Sequence, residues 1–251
     1  MALARLFLTG LVVAGLAAPT SLRAQDPSPA PPPRSTMPVD HPDATMSDEA
    51  RRIHDATEDL AELTATPESG IPRNLLERAE AIIVIPSLVK GGFIVGGKHG
   101  KGIVSIRDRS TNSWSAPAFI NMTGGSVGWQ IGVESVDLVL LVMNKDGMKN
   151  LLQDKFTIGA EGSATVGPVG RTGKAATDAQ LQAQILSWSR SQGAFLGAAL
   201  DGSVVKPDDS RNEAVYGKGT TAKSILLDHK MPPPADAAAF LKVLNENAAR
   251  G

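Results

Sequence analysis

The chain has 251 residues and 26.2 kDa, of which 42% are hydrophobic, enough for one domain with a sizeable core. The lack of cysteine excludes disulfide frameworks, thiol catalysis and cysteine-ligated zinc. With 25 Lys and Arg against 26 Asp and Glu, the formal charge of -1 provides no global field to draw nucleic acid.

Residues 1–24 have the layout of a secretory signal peptide. Arg5 is a basic start, Leu6 to Ala18 is an apolar run too short to span a bilayer, and Leu22-Arg23-Ala24 offers a small-residue cleavage site. The expected location of the mature chain is therefore periplasmic or secreted. Residues 25–46 carry seven prolines and almost nothing that packs, which predicts an extended polyproline spacer. Residues 47–251 are then a single folded domain.

From Ser47 to Thr66 the apolar residues Ile53, Ala56, Leu60 and Leu63 recur at helical spacing, and Pro67 with Gly70 ends the run. The polar face of this helix is acidic, with Asp48, Glu49, Asp55, Glu58, Asp59 and Glu62 against Arg51 and Arg52. A short helix is expected over Arg73 to Ala79 after Pro72. Beyond it the chain becomes strand-like, and 20 of the 25 glycines fall between Gly91 and Gly217. Strands are predicted at Ala81 to Ile85, Gly92 to Gly97, Gly102 to Arg107, Ala116 to Asn121, Val127 to Val133, Val136 to Met143, Ala164 to Val166, Ile185 to Ser191 and Ala194 to Val205. Helices are predicted at Asp146 to Gln153, Ala179 to Gln184, Asp208 to Tyr216, Thr220 to Leu227 and Ala235 to Asn247. The order of these elements indicates an α+β fold. Its glycine-rich antiparallel sheet would be strongly curved, coiled toward a barrel, and flanked by helices.

Several motifs imitate catalytic sites. Gly92 to Lys98 nearly matches a phosphate loop, but His99 stands where the magnesium-binding hydroxyl belongs and Phe93-Ile94-Val95 reads as strand. Gly217 to Ala222 fits a dinucleotide fingerprint without the βαβ unit it needs. Asn144-x-Asp146-Gly147 copies half a calcium loop, with Val142 and Gln153 at its first and twelfth positions. Gly124 to Gly128 is a literal GxSxG, and Ser126 with Asp137 or Asp201 and His229 has the chain order of a hydrolase triad. Trp129-Gln-Ile131-Gly-Val133 alternates like a strand, however, where a nucleophile elbow requires a helix. No pair of the four histidines has metal-ligand spacing. These readings leave no catalytic residue, no metal site and no cofactor.

One charge bias remains. Pro86 to Arg109 reads as a glycine-rich hairpin carrying Lys90, Lys98, Lys101, Arg107 and Arg109 against Asp108 alone, a composition suited to phosphate-bearing headgroups.

Four collinear stretches resemble the SYLF domain family of lipid-binding modules. They are AIIVIPSLVKGGFIVGGKHGKG (81–102), SVGWQIGVESVDLVLLVMN (126–144), GAEGSATVGPVGR (159–171) and ILSWSRSQGAFLGAALDGSVVKPDDSRNEAVYG (185–217). The resemblance covers roughly Ser47 to Leu227. It implies a non-enzymatic α+β domain that binds phosphoinositides or other anionic phospholipids, in some members through an amphipathic helix before the sheet. The actin binding of some eukaryotic members is not carried over to an exported chain. Because the helix is acidic, the expected lipid contacts are Arg51, Arg52, Ile53, Leu60 and Leu63 together with Lys90, Lys98, His99 and Lys101. The alternatives are a structural envelope protein without lipid specificity and a serine hydrolase using Ser126.

Overall fold

The computed structural model describes residues 46–66, 70–160, 164–167, 183–189, 200–228 and 231–248, and the side chains of all but 92–95, 126–134 and 166 among them. The predicted signal peptide, nearly all of the predicted spacer, and His229 lie outside the described residues.

The first helix, α1 (Asp48–Ala65), starts at Ser47, whose hydroxyl accepts a hydrogen bond from the Ala50 N–H. Helix α2 (Arg73–Arg78) follows Pro72, as the missing proline N–H allows. The next two elements are long. Strand β1 (Ala81–Ile106) absorbs three predicted strands, and β2 (Ala118–Val142) absorbs another three. They form one antiparallel ribbon, from Ala81 opposite Val142 to Val104 opposite Ala118. The predicted basic hairpin of residues 86–109 is therefore no local hairpin: Pro86 to Ile106 run within β1, and the reversal comes at the connection to β2.

A flat strand of 25 residues at about 3.3 Å each would reach about 80 Å, whereas a domain of this size has a radius of gyration of about 16 Å. The ribbon has to curl, and it does so strongly. Register shifts at Ile85/Leu88 and Gly92/Ile94 mark where β1 bends. At the first, Pro86 forgoes a ladder bond, while Ser87, at φ 55°, donates its N–H to Asp137 Oδ1 at 3.0 Å. The curl brings the two ends of β1 together, so that the Arg107 N–H bonds to the Glu80 carbonyl. Gly102 permits this, since a Cβ there would lie 2.3 Å from the Val84 carbonyl oxygen.

Helix α3 (Lys145–Leu151) is capped by Asn144, whose side chain accepts from the Gly147 N–H; that is the use of the half calcium loop. Strands β3 (Phe156–Thr157), β4 (Ala164–Val166), β5 (Ile185–Ser189) and β6 (Val204–Pro207) complete a six-stranded sheet. β2 lies at its centre, flanked on one side by β1 and on the other by β6 and β5. Pairing is antiparallel except between β4 and β5. β3 was not foreseen, and the predicted strand from Ala194 corresponds, within the described residues, to β6 beginning only at Val204. Of the helix expected over Ala179 to Gln184, Ala183 and Gln184 are described and are not helical. Helices α4 (Asp209–Tyr216) and α5 (Ala222–Leu227) follow, joined through Gly217 and Gly219 at positive φ, and a 3-10 turn (Ala235–Ala237) leads into α6 (Ala238–Asn247). The supposed dinucleotide fingerprint is this helix–helix connection.

At its two ends, residues 81–85 with 138–142 and 102–106 with 118–120, the ribbon is buried on both faces, which is why these stretches read as nearly continuous apolar runs. On the outer face Ile82, Val84, Ile103, Phe119, Val139 and Leu141 pack under α1, α2 and α6 through Ile53, Leu60, Leu75, Phe240 and Leu244. Inside the curl, Ile83, Ile85, Val104, Ile120, Leu138 and Leu140 meet Phe156, Ile158, Val205, Ile225 and Leu226.

Candidate functional site

Where the first turns of α1 meet β1, a shallow cleft of about 200 Å³ is lined by Asp48, Arg51, Arg52, Asp55, Pro86, Ser87 and Lys101. It unites three of the expected contacts, two from the helix and one from the strand. Arg51 and Lys101 are exposed, and Arg51 lies 3.6 Å from Asp48. Arg52 is only 6% exposed. Its guanidinium donates to Asp208 Oδ2 at 3.0 Å and sits 5.4 Å from the centre of the Phe119 ring. Burial pushes the Asp208 carboxyl up, but hydrogen bonds from Arg52 and Ser210 outweigh it and hold the group below the usual aspartate range. Beside this pair, Arg211 of α4 bonds Glu49 of α1, and that hydrogen bond lowers the Glu49 carboxyl. Two ion pairs thus clasp the start of α1 to α4.

The other expected contacts are dispersed. Ile53, Leu60 and Leu63 are core residues, so the apolar face of α1 rests on the sheet and not on solvent. Asp59, counted on the polar face, is buried as well. Strand alternation separates the lysines: Lys98, opposite Gly124, faces into the curl, while His99 and Lys101 face outward. Lys98 is 7% exposed, and burial, reinforced by repulsion from Lys90, lowers its ammonium group, with Asp201 opposing. Arg109 is paired with Glu80 at 2.6 Å. Arg107 is buried, donating to the carbonyls of Leu76, Ala79 and Ala248 and lying 4.4 Å from the Trp114 ring. Of the cations in the stretch read as a basic hairpin, Lys101 alone lines the cleft. Lys206, exposed on β6, is not among the expected contacts, because the predicted strand ends at Val205.

Ser126 lies within β2 opposite Gly96, with strand on both sides, so the backbone forms no nucleophile elbow there. Likewise Gly92 to Gly97 is extended β1, without the backbone nest of a phosphate loop. No group of His, Asp and Glu able to hold a metal occurs among the described residues. No helix among them is long and apolar enough to cross a membrane.

Fold and cleft define a class: a curled-ribbon α+β module whose cleft presents arginine, lysine and aspartate but no histidine. The chain belongs to the Ysc84 (SYLF) domain family. Residues 123–247 match the family model described as "Ysc84: Las17-binding protein actin regulator". The chain is similar to LAS seventeen-binding protein 3 of Saccharomyces cerevisiae (strain ATCC 204508 / S288c), at 34% identity over 71% of this chain and 39% of that protein. It is also similar to SH3 domain-containing YSC84-like protein 1 of Mus musculus, at 28% identity over 80% of this chain and 59% of that protein. The match therefore spans about two fifths of the yeast relative's length and three fifths of the mouse relative's. The yeast relative is named as a binding protein, and the family model is described as an actin regulator.

Proposed function

We propose that this protein is an exported, non-enzymatic module, periplasmic or secreted, that binds anionic phospholipids or phosphoinositides at a membrane surface. The observation that carries this reading is the convergence of Arg51 from α1 and Lys101 from β1 on one open cleft. Arg52 supports the cleft from below. Its charge is balanced by Asp208, so it positions α1 and does not itself recruit lipid. With Arg52 balanced by Asp208, Arg51 and Lys101 are matched in number by Asp48 and Asp55, and this near-neutral cleft suits contact with a charged surface over tight capture of a single headgroup.

Vesicle sedimentation tests this. The protein should pellet with phosphatidylcholine vesicles containing phosphatidylserine or a phosphoinositide and not with phosphatidylcholine alone. A basic residue near an anionic surface contributes about 1 kcal/mol, so Arg51→Gln with Lys101→Gln should weaken binding roughly thirtyfold at low salt, with a smaller loss as screening increases. Binding by the wild type that is indifferent to both substitutions would remove the cleft from the reading, and no binding by the wild type would remove the reading itself.

A further inference from the structure

Beyond the first turns of α1, the outer-face residues Gly97, His99, Lys101, Thr123, Gly125 and Lys206 are exposed, and the register shows how they are arranged. Lys101 of β1 lies opposite Asn121 of β2, and Asn121 opposite Lys206 of β6. β3 pairs with β6 through Phe156 and Val205, so Lys155, immediately before β3, falls opposite Lys206. Lys101, Lys155 and Lys206 are all exposed. With strands about 4.8 Å apart, they form a row about 14 Å long across four strands. Like charges set directly opposite each other oppose pairing, so folding gains nothing from placing Lys155 beside Lys206. Acids stand in and around the row: the Asp208 carboxylate, paired with Arg52, accepts from Asn121 at its middle, Asp154 and Asp209 line a cleft with Lys206, and Asp48 and Asp55 stand across the other cleft from Lys101.

Outward from this row, past His99 opposite Thr123, comes Gly97 opposite Gly125. Both glycines are exposed, and neither has a positive φ. A Cβ on Gly125 would meet nothing within 4 Å, and one on Gly97 only a carbonyl oxygen at 3.9 Å. The inner-face glycines differ, since a Cβ on Gly100 or Gly102 would collide with Ile85. Packing thus explains Gly100 and Gly102 but leaves Gly97 and Gly125 unexplained. Glycine inside a strand marks a bulge, a tight bend or a close approach to the backbone; the register is unbroken from Ile94 to Val104, so no bulge accounts for this pair.

We propose that this outer face is the surface that lies against an anionic bilayer, with Lys101, Lys206 and Lys155 meeting headgroup phosphates and the Gly97–Gly125 pair as the floor they settle on. The proposal deepens the lipid-binding reading and rests on it: the cleft becomes one margin of a wider contact. A bilayer fits better than a single soluble anion because the cations are spread in a line on an open sheet and do not converge on a point.

Four full-length proteins separate the possibilities: the wild type, Arg51→Gln with Lys101→Gln for the cleft, and, for the wider face, the two pairs Lys155→Gln with Lys206→Gln and Gly97→Val with Gly125→Val. Each is taken through thermal melting, self-association by sedimentation, and binding to phosphatidylcholine vesicles with and without phosphatidylserine. The lysine pair should lose about thirtyfold in binding at low salt and progressively less as salt rises. The valine pair should melt no lower than the wild type and still lose binding at every salt concentration. If the wild type and both pairs bind equally while Arg51→Gln with Lys101→Gln does not, the cleft reading stands and the wider face is overturned. If either pair alters self-association and leaves vesicle binding intact, the face joins copies of the chain and the proposal is again overturned. A wild type that ignores anionic vesicles overturns both readings.

Discussion

Arg52 and Arg107 hold their charges inside the protein, and each does so by meeting oxygens that would otherwise be buried without partners. Arg107 closes the carbonyl ends of α2 and α6, where the helix dipole also favours a cation. Arg52 answers the Asp208 carboxylate, which burial alone would push up but which the Arg52 and Ser210 hydrogen bonds hold low. A carboxyl with a depressed folded pKa contributes stability that is present above its unfolded value, about 3.9, and lost as pH falls through the folded one. The melting midpoint should accordingly drop below about pH 4, with Glu49 contributing in the same direction. Asp208→Asn should melt lower than the wild type at neutral pH, with the gap narrowing in acid. A gap that stays constant from about pH 7 to about pH 3 would show that this carboxyl is not a source of the acid limb.

At the scale of the element, α1 combines a core face with a start that lines the cleft, and the two have different consequences. Leu60 is 1% exposed and packs with Ile53 and Leu63 on the outer face of the ribbon. Leu60→Ala should therefore cost about 2–5 kcal/mol in unfolding free energy, measured by denaturant titration. A cost under about 1 kcal/mol would mean that the helix leaves the sheet readily and that its apolar face is available to a membrane after all. Helix and strand periodicity made this element and the apolar parts of the ribbon legible in the sequence. The joining of six predicted strands into two was not legible, because glycine and proline mark bulges within a continuous strand as readily as they mark its end.

At the scale of the molecule, both cores are built from residues between Ala50 and Ala248. A chain starting at Pro42 should hence fold by itself in one cooperative transition, tested by coincident melting of far-ultraviolet and tryptophan signals. Separate transitions would show that the inner and outer cores are not one unit. The sequence by itself determined the α+β class, the position of α1, the glycine-rich curvature and the family, because these depend on local periodicity, composition and collinear motifs. Which cations face a ligand was decided only by tertiary structure. Residues 86–109 read as one basic segment, but alternation along β1 turns Lys98 inward and Lys101 outward, the curl buries Arg107, and Glu80 holds Arg109. Lys206 and Lys155 join Lys101 from more than fifty residues away in the chain. Charge in a sequence is counted along the chain, whereas a ligand meets it across strands, and the register of long-range pairing is not written in any local segment.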